Sequence, residues 1–194
     1  GVKRPTVVNM SWGYYTSFAS LTKINYRGTS YTGTSIDTNT ERINNFGLMS
    51  AASSISNVRI SSVDTDIQEM IDAGIIVCIA AGNRSHKIEI YSGSDWSNFA
   101  ITDTGTVYYH QGSSPYNSGS IIVGALDSTV FSGTQDQKAT YSETGPGVDV
   151  YAPGSNIMSC TSNTNKFSDS AYYFDNNYHI FFLRKFLTFN INNI

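Results

Sequence analysis

The chain is poor in cysteine, in charge and in long apolar segments, and each shortage excludes a class of protein. Two cysteines among 194 residues are too few for a disulfide framework. Charged residues make up 14% of the chain and the formal net charge is −3, so the electrostatics do not favour a nucleic acid or an anionic membrane as a partner. No apolar run approaches the roughly 20 residues that a membrane-spanning helix needs. We therefore expect no nucleic-acid partner and no membrane partner.

The chain also lacks an initial methionine and a signal peptide. Its first residues, Gly1-Val2-Lys3-Arg4-Pro5, lead at once into a strand-like run. We therefore expect a processed product or a piece of a longer protein. The length is sufficient for one domain with a hydrophobic core. No nucleotide-binding glycine motif is present, which disfavours a nucleotide site.

The most informative stretch is Ile75-Ile76-Val77-Cys78-Ile79-Ala80-Ala81-Gly82-Asn83. Its seven uninterrupted apolar or small residues predict a strand buried on both faces, as in a parallel sheet, with Cys78 as an inert core thiol. Gly82 predicts a sharp turn, and Asn83 places a polar amide after it. Because ligands of open parallel sheets bind beyond the carboxyl ends of the strands, these last two residues form a candidate site.

A helix is predicted directly before this strand. It begins after Ser62 as its N-cap and ends at Gly74 as its C-cap. Its apolar stripe consists of Val63, Ile67, Met70 and Ile71. With a first strand predicted at residues 6–10, the helix completes a βαβ unit.

The rest of the chain alternates short strands with long polar segments. Residues 11–13 predict a turn, and residues 14–62 and 84–120 predict long surface excursions, the first with one helix around residues 41–53. Further strands are predicted at residues 121–125, 148–152 and 156–160, and a loop with a hairpin at residues 127–140.

Four motifs stand in a fixed order along the chain. They are Val-Asn-Met-Ser-Trp-Gly at residues 8–13, Ala-Gly-Ile-Ile-Val-Cys-Ile-Ala-Ala-Gly-Asn at 73–83, Ile-Val-Gly-Ala at 122–125, and Tyr-Ser-Glu-Thr-Gly-Pro-Gly-Val-Asp-Val-Tyr-Ala-Pro-Gly at 141–154. This series resembles the subtilisin-like serine proteases, the subtilases, over about residues 5–160. The resemblance implies a three-layer α/β fold with a mainly parallel sheet, of which residues 1–178 form the second part.

The resemblance also implies an endopeptidase that cleaves polypeptides through an acyl-enzyme. Asn83 matches the asparagine of the oxyanion hole, whose amide stabilises the negative charge of the tetrahedral intermediate. Two strips match the walls that bind the substrate: Ser11, Trp12 and Gly13 on one side, and Ala80, Ala81 and Gly82 on the other.

A subtilase needs an Asp, a His and a Ser, and this sequence offers no match for any of them. In the family the Asp-(Ser/Thr)-Gly and His-Gly-Thr-His motifs precede the strand at residues 6–10, so we expect both upstream of this chain. His86, His110 and His179 lack that context and are interpreted as loop histidines. The Gly-Thr-Ser triplets at residues 28–30 and 33–35 are interpreted as turns, because no helix of small residues follows them. We expect the chain alone to be inactive.

The nucleophile is expected in a Gly-Thr-Ser-Met-Ala motif after the Ala-Pro-Gly at residues 152–154, but no such motif follows. Instead the chain ends in residues 179–194, which contain no glycine and are rich in Phe, Ile, Leu and Asn. One interpretation is that a frameshift, an intron boundary or a gene break replaced the catalytic segment. The other is an apolar strand or helix that docks on the core.

Two functions remain open at this point. The chain is a fragment of a serine endopeptidase, with a polypeptide substrate and the missing N-terminal part of the same domain as partners, or it is a non-catalytic structural or peptide-binding module. The resemblance implies structural calcium as a candidate cofactor, although no residues in 84–120 have a defensible ligand spacing. It also implies a location outside the cytosol, extracellular or on a virion or cell surface.

Overall fold

The computed structural model describes residues 5–17, 20–48, 55–127 and 137–154, and the backbone of residues 157–158, 180–181 and 187–190. Two α-helices, α1 (Asn39–Phe46) and α2 (Ser61–Asp72), and a 3₁₀ helix (Gly33–Ile36) lie among the described strands. The strands are β1 (Val7–Met10), β2 (Trp12–Ser17), β3 (Lys23–Tyr26), β4 (Thr29–Tyr31), β5 (Ile55–Asn57), β6 (Ile76–Ala80), β7 (Phe99–Thr102), β8 (Gly105–Val107), β9 (Ile121–Leu126), β10 (Val150–Pro153), β11 (Ile157–Met158), β12 (Ile180–Phe181) and β13 (Leu187–Asn190).

A four-stranded parallel sheet forms the centre of the fold. Its strand order is β1-β6-β9-β10, and every neighbouring pair is parallel, with Val8 beside Val77 and Ile79 beside Ile122. The carboxyl ends of all four strands therefore lie at one edge, which is where the candidate site was predicted. The α/β class with a mainly parallel sheet is confirmed, and β6 occupies an inner position as its apolar run predicted.

Helix α2 is the last element before β6 in the long connection from β1, and both of its caps differ from the prediction. Ile60, and not Ser62, holds the N-cap position and makes no side-chain cap. A tertiary contact replaces the cap, because Ser114 bonds the backbone of Ile60 and the Asp64 carboxylate. At the other end Ala73, and not Gly74, holds the C-cap position. Gly74 follows it with φ +81°, and the amides of Gly74 and Ile75 bond carbonyls of the last turn. This is a Schellman ending that glycine favours.

The two faces of the parallel sheet are in different environments. On one face Val77, Ile79 and Ile122 pack against Ile67 of α2 and Ile88. The opposite face is open, and its exposed apolar side chains are Val7, Ile76, Ile121 and Val150. Cys78 lies on this open face and is only partly buried. The prediction that β6 is buried on both faces is therefore wrong, because within the described chain only one face carries a covering layer.

Replacing one valine on each face with alanine should show that the two faces differ in how much their side chains stabilise the fold. Val77 is 1% exposed and Val150 is 45% exposed, so Val77→Ala should lower the free energy of unfolding by about 2 kcal/mol or more and Val150→Ala by less than about 1 kcal/mol. Urea denaturation of both variants measures the difference. Both replacements put alanine into a strand, so the strand propensity lost is similar. Equal losses would contradict an open second face.

The two segments predicted as surface excursions, residues 14–62 and 84–120, together build a second core. Strands β4-β3-β7-β8 form an antiparallel sheet. Its buried cluster contains Ile24, Ile36, Phe46, Leu48, Ala100, Val107 and Tyr109. The helix expected around residues 41–53 is α1, which ends earlier because Gly47 adopts a left-handed conformation. Residues 49–54 lie outside the described chain.

The two Gly-Thr-Ser triplets, at residues 28–30 and 33–35, each begin with a glycine of positive φ. Arg27 and Gly28 have φ of 49° and 84° and form the tight turn between β3 and β4, a geometry that suits a two-residue hairpin loop. Gly33 has φ +62° and begins the 3₁₀ helix. Neither triplet opens a buried helix. The predicted turn is present at Gly28, whereas Thr29 and Ser30 belong to β4 and residues 33–35 to the 3₁₀ helix.

The last strands pair with earlier parts of the chain. β13 runs parallel to β2, with Thr188 beside Gly13, and β11 pairs antiparallel with β12. The predicted fifth strand at residues 156–160 corresponds to β11, and the predicted hairpin at residues 127–140 lies mostly outside the described residues. The origin of the segment 179–194 stays a prediction. No helix in the described ranges is long and apolar enough to cross a membrane.

Candidate functional site

A cavity of about 280 Å³ lies at the carboxyl ends of the parallel strands. Four predicted site residues line it: Ser11, Ala80, Gly82 and Asn83. The other lining residues are Asn9, Val123, Gly124, Ala125, Tyr141, Ala152, Pro153 and Gly154. All four sequence motifs therefore meet around one concave surface of mostly small side chains, which lets another polypeptide backbone approach closely.

Trp12 and Gly13 lie on strand β2, not in the predicted turn. The Trp12 ring contacts Tyr14 edge to face at 5.8 Å. A Cβ atom on Gly13 would lie 2.7 Å from Ser113 Oγ, so this position has no room for a side chain. Strand β13 pairs with β2 here, and a peptide that used this edge of β2 would have to replace β13.

Ala80 and Ala81 face opposite sides of the sheet. Ala80 lines the cavity, whereas Ala81 is 4% exposed and belongs to the core beside α2. The alternation follows from the two-residue period of a strand. Within the strip of residues 80–82 the structure therefore brings Ala80 and Gly82 to the cavity and places the Ala81 side chain in the core.

Gly82 and Asn83 form the turn that follows β6. Gly82 has φ +127°, a conformation that side chains with a Cβ rarely adopt. Asn83 is half-buried beside the cavity, and in the described chain no hydrogen bond engages its side chain. The amide is thus held at the cavity by its backbone and has unused donors for a ligand oxygen.

A buried glutamate supports this turn. Glu143 is fully buried, and its Oε1 accepts hydrogen bonds from Asn57 Nδ2 at 2.7 Å and from the Arg84 amide at 3.1 Å. Its own amide bonds the Gly82 carbonyl at 3.3 Å. Burial raises the pKa of Glu143 to about 8, although the bonds from Asn57 and Arg84 act in the opposite direction. The sequence analysis missed Glu143, because its position in a turn-rich segment gave no signal.

Two histidines near this turn are deeply buried. His86 and His110 are 1% and 2% exposed, and burial lowers the pKa of each to about 4. His110 Nδ1 contacts Asn98, while both ring nitrogens of His86 lack a partner within the described chain. Their place in loops agrees with the prediction, but their burial was not predicted.

A charged cluster fastens the loop after Asn83 to the β3–β4 hairpin. Asp95 accepts from Arg27 Nε at 2.6 Å and from Lys87 Nζ at 2.7 Å, and Lys87 also pairs with Glu89 at 2.7 Å. The Arg27 hydrogen bond holds the pKa of Asp95 well below its usual range. Among the described residues no group of three or more His, Cys, Asp or Glu could hold a metal, and structural calcium stays an expectation.

The comparison with known families agrees with this arrangement. The family model described as the subtilase family matches residues 2–181. The chain belongs to the subtilase family. Family membership supports a protease-like function for this subtilase in general terms. A search of curated proteins found no match to it.

Proposed function

We propose that this subtilase chain is part of a serine endopeptidase and supplies its oxyanion donor and substrate-binding strips. The observation that carries the proposal is the Asn83 amide, which has no hydrogen-bond partner in the described chain and borders a cavity at the carboxyl ends of the parallel strands. Such a donor stabilises the tetrahedral intermediate, and losing one typically lowers kcat by about 10²–10³. Ser11, which follows β1, and Ala80, at the end of the neighbouring strand β6, border the same cavity.

In this proposal peptide hydrolysis needs a serine, a histidine and an aspartate for which this sequence contains no matching motif. A serine hydroxyl attacks the peptide carbonyl, a histidine takes its proton and returns it to the leaving amine, and an aspartate orients the histidine. Water then releases the acyl group. The contribution of this chain is to bind the extended peptide and to stabilise the oxyanion.

The proposed partner that supplies the missing Asp and His is the N-terminal part of the same domain. Parallel sheets are normally covered on both faces by crossover helices, and the described residues leave the face that carries Ile76 and Ile121 exposed. Strand β1 is also an edge strand of the sheet. Both features support a further layer and further strands from the rest of the domain.

Chemical labelling tests whether this chain lacks a catalytic serine of its own. We expect the purified chain, incubated with an unfolded protein and a fluorophosphonate serine probe, to show neither cleavage nor labelling. The gene sequence upstream of Gly1 should then encode an Asp-(Ser/Thr)-Gly and a His-Gly-Thr-His motif within about 150 residues, roughly one domain length. Labelling of the chain by itself would refute the proposal that this chain lacks the catalytic serine. Upstream sequence without the two motifs would refute the proposal that it belongs to an endopeptidase.

A second candidate function is a non-catalytic peptide-binding module. The pairing of β13 with β2 favours it, because this edge of β2 already accepts an extended strand, and strand addition is a common mode of peptide recognition. The upstream gene sequence distinguishes the two candidates, since only the endopeptidase requires the Asp and His motifs.

A further inference from the structure

The Glu143 side chain contacts both residues that flank Asn83. Its Oε1 accepts from the Arg84 amide at 3.1 Å, and a Cβ atom placed on Gly82 would lie 2.9 Å from the same oxygen. The Glu143 amide also bonds the Gly82 carbonyl. The backbone before and after Asn83 is therefore fastened to a single residue, which limits the directions in which the Asn83 amide can point.

The hydrogen bonds of the carboxyl group fit an uncharged acid. Oε1 accepts both bonds, from Asn57 and from Arg84, while Oε2 has no partner within the described residues. A buried carboxylate normally has both oxygens paired. Burial raises the pKa of this group to about 8, so it is protonated at neutral pH.

Among the described residues, few charged or titratable groups face the Glu143 carboxyl group. The Arg84 charge and the nearby His86 backbone lower its pKa, but both contributions are smaller than that of burial. The Arg84 guanidinium stacks 5.3 Å from the centre of the Tyr15 ring. The Tyr151 hydroxyl bonds the backbone carbonyl of Glu143 and not its side chain.

We propose that Glu143 is the positioning residue of Asn83 and that the site accepts a negatively charged oxygen only while Glu143 is uncharged. The proposal rests on the function proposed above and adds a regulation by pH. An ionised carboxylate next to the turn would repel an oxyanion at the Asn83 amide, in a poorly solvated region where such repulsion is strong. Protonated, the same group only fastens the turn.

Two peptide probes and the complete 194-residue chain test this regulation. N-acetyl tetra-alanine with a free carboxylate places a negative oxygen at its end, and its C-terminal amide is the neutral control. Because the probe carboxylate is ionised throughout, raising the pH from about 6 to about 9.5 should weaken carboxylate binding relative to amide binding by about tenfold to a hundredfold. Glu143→Gln should abolish this dependence, since an amide side chain cannot ionise. NMR titration yields the dissociation constants.

A ligand-free measurement keeps the inference independent of peptide binding. In the wild-type chain the Asn83 side-chain amide resonances should shift with a midpoint near pH 8, the pKa of Glu143, and in Glu143→Gln they should stay constant. Glu143→Ala, which loses both bonds from the carboxyl, should broaden or displace these resonances at every pH, whereas Glu143→Gln should retain the wild-type positions found at low pH.

The outcomes separate the two proposals. If Asn83 titrates and Glu143→Gln abolishes the titration, but neither peptide perturbs Asn83 or Ser11, the positioning role stands and the proposed function fails. If the peptides bind and their carboxylate-to-amide ratio is independent of pH, the regulation by Glu143 is overturned. Asn83 resonances that do not respond to pH, or that respond equally in Glu143→Gln, overturn it as well.

Discussion

Acidification from pH 6.5 to pH 4 should destabilise the protein by on the order of 2–3 kcal/mol. His86 and His110 have folded pKa values of about 4 against 6.5 for the free side chain. The unfolded chain therefore binds protons in this window that the folded chain does not, and stability falls as the pH falls. Over this window the two histidines together lower the free energy of unfolding by on the order of 5 kcal/mol, since one pKa unit corresponds to about 1.4 kcal/mol.

Glu143 partly opposes this acid loss. Its folded pKa of about 8 lies above the ordinary value of 4.5, so its contribution to stability is complete below pH 4.5 and is lost as the pH rises towards 8. Between pH 6.5 and 4.5 the protonation of Glu143 therefore raises the free energy of unfolding by about 3 kcal/mol. The signs place the maximum of stability near pH 6.5, with an acid limb due to the histidines and an alkaline limb due to Glu143.

His86→Leu is the variant that tests the acid limb. No hydrogen bond to the His86 ring is lost, because both ring nitrogens lack a partner within the described chain. The variant should remove about half of the histidine contribution, on the order of 3 kcal/mol, and leave the alkaline limb unchanged. Urea denaturation at a series of pH values measures both limbs. An acid limb of wild-type steepness would show that His86 is not responsible.

Gly82→Ala should destabilise the protein by about 3 kcal/mol or more. The new Cβ would lie 2.8 Å from Cγ and 2.9 Å from Oε1 of Glu143, a residue that is itself fully buried. The variant would also adopt φ near +127°, which is strained for alanine. Thermal and urea denaturation give the loss of free energy.

Gly105→Ala is the matched control for this substitution. Gly105 has φ +124°, but nothing lies within 4 Å of a Cβ placed there. Its cost, about 1–2 kcal/mol, is that of the backbone conformation alone, so the difference between the two variants isolates the contact with Glu143. In the double variant Gly82→Ala with Glu143→Ala that difference should largely disappear. Equal costs at both glycines would mean that the Glu143 contact is not restrictive.

The sequence predicts the features that depend on neighbouring residues. The β-branched run that ends at Ala81 specifies β6, and the spacing of Ile67, Met70 and Ile71 specifies α2 and the face that it buries. The turn at Gly82 and the amide at Asn83 follow from their position after the strand. These signals depend only on neighbouring residues, so they can be read without knowledge of the rest of the fold.

Features that depend on distant partners could not be predicted. Glu143 meets Asn57 across 86 positions of sequence, and a carboxyl among turn residues is normally solvated. The N-terminus of α2 is capped by the distant Ser114 in place of Ser62. The exposure of Ile76 was also hidden, because an apolar run has the same composition whether one face of its strand is covered or both.

The open face of the parallel sheet also affects the m-value and the heat capacity change of unfolding. Its apolar side chains, Val7, Ile76, Ile121 and Val150, are already hydrated in the folded state. Unfolding therefore exposes less new surface than it would in a sheet covered on both sides. Both the denaturant m-value and the heat capacity change scale with that surface. A steeper denaturation curve and a larger heat capacity increment would consequently mark the binding of any layer that covers this face.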